Sequence, residues 1–160
     1  MIPIGLQKTL EDRLRLLFAD NLFPTPSGEA APVTIHKQRL PEKTSEEDSP
    51  FPFIIVKMIE GSGQTEQVQP MSKIGLIVGT FDAFDTSGIS SNDGYIDLVR
   101  IMNDIEEDLT NSPVIDGKYE LELPLKWRIN EEDTDPYFIG VLELDFATPN
   151  HTRTDVESLL

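Results

Sequence analysis

The side chains able to make or break bonds are unevenly supplied. There is no cysteine, which removes disulfides, thiolate nucleophiles and Cys-ligated zinc together. Of the two histidines, His36 falls in a short alternating segment and His151 near the end of the chain, and neither has a second histidine at metal-ligand spacing. Both read as exposed polar residues. Carboxylates are abundant: Asp82 and Asp85 flank Phe84, and Asp133 and Asp135 share a turn. Such pairs can hold Mg²⁺ or divide general acid and base roles. With 29 acids in 160 residues, however, close pairs arise by chance. Neither pair has the oxygen ladder, central glycine and distal glutamate of a calcium loop.

Gly61-Ser-Gly63 precedes polar residues rather than a helix, and no Lys-Ser or Lys-Thr follows at phosphate-loop spacing. No Gly-x-Ser-x-Gly turn is present, and Ser87, Ser90 and Ser91 read as loop and capping residues. No catalytic, cofactor or metal residue is therefore assigned, and the chain is not expected to be an enzyme. The aromatic residues Phe81, Phe84, Trp127, Tyr137 and Phe138 lie on or beside strands. Most belong to a core; Trp127 and Tyr137 are candidates to anchor a subunit contact, since such rings bury large area at little entropic cost.

The elements that would carry these residues follow from periodicity. Leu6, Leu10, Leu14, Leu17 and Phe18 share one face of an amphipathic helix running to about Leu22, where Pro24 and Pro26 stop it. Residues 24–52 are broken by prolines, and only Val33 to Gln38 alternates as a strand. Glu42 to Asp48 reads as an acidic mobile loop. Phe53 to Glu60 and Ser72 to Asp82 are dense β-branched runs, expected as an antiparallel pair with a projecting loop from Gly61 to Met71. Gly75 and Gly79 share a face and would let a helix come close.

A second helix starts near Ser91-Asn92-Asp93, carries the stripe Tyr95, Leu98, Val99, Met102, Ile105 and Leu109, and ends at Asn111-Ser-Pro113. Tyr119 to Ile129 alternates strictly, with Pro124 marking an edge or a bulge. Tyr137 to Phe146 is the last strand. The expected fold is α+β, a mainly antiparallel sheet packed by two amphipathic helices, in a single domain over residues 1–149 with an extended tail over 150–160.

The net charge of −16 argues against direct binding to nucleic acid and to anionic membranes. An apolar content of 38% is enough for a folded core. No apolar run approaches the ~18 residues of a membrane span, and the first residues lack the pattern of a signal peptide.

Ile77-Val-Gly-Thr-Phe-Asp82 and a polar loop lead into Asp93-Gly-Tyr-Ile-Asp-Leu-Val-Arg-Ile-Met-Asn-Asp-Ile105. Then come Pro113-Val-Ile, Tyr119-Glu-Leu-Glu-Leu-Pro-Leu-Lys-Trp127 and Asp135-Pro-Tyr-Phe-Ile-Gly-Val-Leu-Glu-Leu144. This order resembles the tail terminator (tail completion) proteins of long-tailed bacteriophages and phage-tail-like particles, over roughly residues 53–146. The best local match is Pro124-Leu-Lys-Trp127 followed by Pro136-Tyr-Phe-Ile-Gly140.

The resemblance implies a virion structural protein that forms a hexameric ring. That ring caps the tail tube, ends its polymerisation and joins the tail to the head. Implied partners are further copies of the chain, the tail tube protein, a head-completion or neck protein and, in a contractile tail, the sheath protein. DNA would pass without being specifically bound, and no cofactor is implied. The place implied is the head-proximal end of the virion tail, after assembly in the host cytoplasm. Alternatives are another neck or head–tail connector component, or a small metal-dependent hydrolase using Asp82 and Asp85.

Partner contacts are expected at Ser62, Gln64, Glu66, Gln69 and Met71 on the hairpin loop, and at Leu159 and Leu160 in the tail. Two acidic loops, around Glu46, Glu47 and Asp48 and around Glu131, Glu132 and Asp133, are candidates to line a channel. There, negative charge would let a polyphosphate slide past.

Overall fold

A computed structural model describes residues 2–42, 50–63, 65, 67, 69–82, 93–130 and 136–148. The first element, α1 (Ile4–Phe18), buries Leu6, Leu10, Leu14 and Phe18, at the helical spacing of the sequence. It stops four residues short of the expected Leu22. Asp20-Asn21, which compete with helix for their own backbone, turn the chain out, and the Asn21 N–H bonds the Phe18 carbonyl. Leu22 is left in solvent. The prolines at 24 and 26 lie beyond this turn and do not make it.

Strands β1 (Thr34–Lys37), β2 (Phe53–Gly61) and β3 (Met71–Phe81) come next, followed by helix α2 (Asp93–Asn111). Strands β4 (Val114–Ile115), β5 (Tyr119–Leu121), β6 (Lys126–Ile129) and β7 (Tyr137–Ala147) complete the order. They form one seven-stranded sheet ordered β1-β2-β3-β7-β5-β4, with β6 also on β7. Only β1–β2 is parallel. This is the expected single α+β arrangement, with a mainly antiparallel sheet and two helices. Among the described residues no helix is long and apolar enough to cross a membrane.

Both helices cover the same face. Ile54 and Val56, Ile74, Leu76 and Val78, and Leu142, Leu144 and Phe146 alternate onto it and join the apolar faces of α1 and α2 in one core. Gly75 and Gly79 are on the other face, so they do not admit a helix as expected. A β-carbon at Gly79 would strike the rings of Phe53 and Phe51, and one at Gly75 would meet the Ile59 side chain. The glycines that let α2 approach are Gly140 of β7, where a β-carbon would lie 2.5 Å from Met102 Sδ, and Gly94 of α2 itself, pressed against Asp82.

Arg13 locks the helices together. Its Nε reaches Asp108 Oδ2 at 2.7 Å, while its terminal nitrogens donate to the Asp108 and Ser112 carbonyls at 2.9 and 3.0 Å. The last turn of α2 has no basic residue of its own, so α1 supplies the cation that its carbonyl end favours.

The parallel strand β1 is held by side chains. Gln7 donates to the Gln38 side-chain oxygen at 2.7 Å and to the Val56 carbonyl at 2.9 Å. Gln38, in the left-handed region at φ 65°, accepts the Met58 N–H at 2.6 Å and so extends the ladder by one rung with its amide. The Thr34 and Gln38 N–H groups donate to the Pro52 and Val56 carbonyls, which turns the backbone carbonyls of Ile35 and Lys37 toward the outer edge. Their carbonyls are taken, by the Arg15 guanidinium at 3.3 Å and by the Arg39 N–H at 2.7 Å.

Candidate interaction surface

The alternating run Tyr119–Ile129 is not one strand. It breaks at Pro124 into β5 and β6, both of which pair with β7. Tyr119 and Leu121 enter the core as expected. Leu123 and Trp127, on the same alternation, are 50% and 60% exposed, because α2 stops covering the sheet before β6. Trp127 instead flanks a cavity of about 110 Å³ with Tyr95, Val99 and Met102 of α2 and Leu142 of β7. Tyr95, expected on the apolar stripe of α2, is 43% exposed here, and the neighbouring Ile96 is 48% exposed.

β6 is an open edge. The Asn130 N–H donates to the Ile139 carbonyl, and the register pairs Arg128 with Val141 and Lys126 with Glu143. Antiparallel alternation therefore directs the N–H and C=O groups of Trp127 and Ile129 away from β7. Arg128 is mostly solvent-facing, with Glu143 at 3.9 Å. Tyr137, the other expected anchor, is partly exposed at 37% and stacks among Phe51 and Phe81 on the sheet face away from the helices.

A second surface lies where the β2–β3 hairpin outruns β1. Ile2, Pro3, Met58, Ile59 and Met71 line a groove of about 460 Å³ there. Ile2 and Ile59 are 72% and 50% exposed. Glu60 stands on its rim, held loosely by Lys73 at 3.8 Å. The Ser62 N–H donates to the Met71 carbonyl at 2.8 Å and the Ser62 hydroxyl accepts the Met71 N–H at 3.3 Å. These two expected contact residues thus close the base of the hairpin rather than forming its tip, and Met71 is itself half-buried beside Ala147. Gln69 is exposed. Sequence periodicity does not reveal this groove as a site. The signal available was apolar Ile2, Ile4 and Ile59 standing off the buried stripes.

Among the described residues the acidic candidates give no assembled centre. Asp82 is 1% exposed; its N–H donates to the Pro136 carbonyl at 2.8 Å, and it packs on Gly94. The adjoining Thr80 hydroxyl donates to the Gly94 carbonyl at 2.6 Å, so Asp82 belongs to the joint between β3 and the start of α2. Asp97, on the next turn, has its carboxyl pushed up from its ordinary range, chiefly by burial; Arg100 opposes this, while Asp93 and Asp82 add to it. His36 sits 3.0 Å from the Thr34 hydroxyl, and burial followed by Arg15 lowers its pKa against the pull of Glu11. Among the described residues no three His, Cys, Asp or Glu side chains are grouped to hold a metal ion. Gln64, Glu66, Glu46, Glu47, Asp48, Asp85, Glu131, Glu132, Asp133, His151, Leu159 and Leu160 lie outside the described residues.

No protein-family model matches the chain, and no curated protein is significantly similar to it.

Proposed function

We propose that the chain is a structural virion protein, a tail terminator. In this reading six copies form a ring that caps the tail tube, ends its growth and offers its other face to the head or neck. The observation that supports it most is the placement of the two phrases that carry the resemblance. Pro124-Leu-Lys-Trp127 runs into the open edge strand β6, and Pro136-Tyr-Phe-Ile-Gly140 leads into β7 beside it. A large aromatic ring, mostly in solvent, on a strand whose outer edge has no partner among the described residues suits assembly with other chains. A ring of six would carry six times the −16 of one copy, a field that keeps a DNA conduit from gripping its cargo.

The test is assembly of the corresponding tail tube protein with and without this chain. Tubes of set length with a ring at one end are expected when it is present, and tubes of uncontrolled length when it is omitted. Tubes unaffected by its addition, with no ring density at either end, would refute the proposal.

A further inference from the structure

We infer that the Trp127 side chain of one copy seats in the Ile2–Met58–Met71 groove of the next, joining copies head to tail. The inference deepens the ring reading by naming the contact that closes it, and takes only the number of copies from that reading.

Four observations converge on this pairing. The knob is preformed: Trp127 is 60% exposed, on a strand whose outward peptide groups have no partner among the described residues. The hole is preformed as well, a groove of about 460 Å³ whose isoleucine, proline and methionine side chains are joined by Glu60, Ser62, Ser72 and two glycines; of these, methionine adapts readily to an inserted ring. The charges match, because β6 carries Lys126 and Arg128 and no acid, whereas the groove rim carries Glu60 with a side chain 70% exposed.

The fourth observation concerns the backbone. The Ser62 N–H bonds Met71 across the hairpin, so the preceding residue, Gly61, turns its own N–H and C=O outward, available to the unpaired groups of Trp127 and Ile129.

The alternative of two β6 edges meeting across a twofold axis is disfavoured. Pairing through the outward groups of Trp127 and Ile129 centres on Arg128 and sets it opposite its own copy, like charge on like. A contact between two different patches is heterologous, the type that closes rings.

The absence of native cysteine makes a direct test clean. Ser62→Cys and Arg128→Cys are placed in one chain and treated with a short bis-maleimide, on tubes or in free rings. The double variant should give a covalent ladder ending at six, and a mixture of the two single variants should give dimers only. Each single variant alone should stay monomeric on a denaturing gel. Trp127→Ala should weaken assembly about 30-fold or more, the effect expected of a buried hot spot, with only a small drop in melting temperature because the indole is 60% exposed in the single copy. Arg128→Glu should impair assembly, and Glu60→Lys added to it should restore it.

Rings of normal mass formed by the Trp127→Ala chain, or dimers from Arg128→Cys alone, would overturn this contact and leave the ring reading standing. A chain that stays monomeric even beside tail tube protein would overturn both.

Discussion

Replacing Arg13 with methionine keeps the aliphatic stem but removes every polar contact between α1 and the end of α2. Three hydrogen bonds go, one to the Asp108 carboxylate and two to the Asp108 and Ser112 carbonyls. A hydrogen bond to a charged group contributes about 1.5–3 kcal/mol when shielded. The Arg13 and Asp108 side chains are 22% and 31% exposed, so solvent screens part of this. The three bonds also share one guanidinium and are not additive. An overall loss of about 2 kcal/mol follows, which for a chain of this length lowers the melting temperature by roughly 4–8 °C.

Urea titration of wild type, Arg13→Met, Asp108→Asn and the double variant measures the loss and the coupling. Asp108→Asn removes only the carboxylate, so a coupling of about 1 kcal/mol is expected, with the remainder of the Arg13 effect surviving in 1 M salt because the carbonyl bonds are not ionic pairs. A loss below ~0.5 kcal/mol for Arg13→Met would refute the idea that α1 supplies the missing cation to α2, and strict additivity in the cycle would refute the coupling to the Asp108 carboxylate.

Two further outcomes are expected. Gly140→Ala puts a β-carbon 2.5 Å from Met102 Sδ and should cost about 1–3 kcal/mol, with Met102→Ala recovering part of it in the double variant; chemical denaturation measures both. Asp97 has a folded pKa raised above its ordinary value of 3.8, so its ionised form opposes folding at neutral pH, and that penalty is relieved as pH falls through the raised value. Asp97→Asn should therefore stabilise the chain at pH 7, and the gain should shrink as melting curves are taken at lower pH toward 3.8; a gain that grows with acidity would contradict this.

Periodicity carried most of the fold. The stripes of α1 and α2 and the alternation of β2, β3 and β7 are local patterns, so their faces were legible without knowing what they meet. What each face meets was not local. Gly75 and Gly79 share a side, as alternation requires, but nothing in their neighbourhood says that both helices lie on the opposite one. The same limit hid the exposure of Trp127. Its alternation with Tyr119 and Leu121 is unbroken, and only the reach of α2 decides that two of these side chains are buried and the third is not. Pro124 did announce the break in that run, since a ring without an N–H cannot serve a continuous interior strand. The parallel direction of β1 left no mark in its own residues, and the Gln7–Gln38 bond beside it joins positions far apart in the chain. The groove beside Ile2 is likewise made by bringing the start of the chain against a hairpin more than fifty residues later.

The capped carbonyls of Ile35 and Lys37 give the sheet a handedness of supply. One flank is stoppered by Arg15 and Arg39, while the opposite flank at Trp127 stays receptive. Open acceptors along a sheet edge invite ribbon growth by strand addition. Stoppering those of Ile35 and Lys37 removes one stretch of edge on which a surplus copy could lay a further strand.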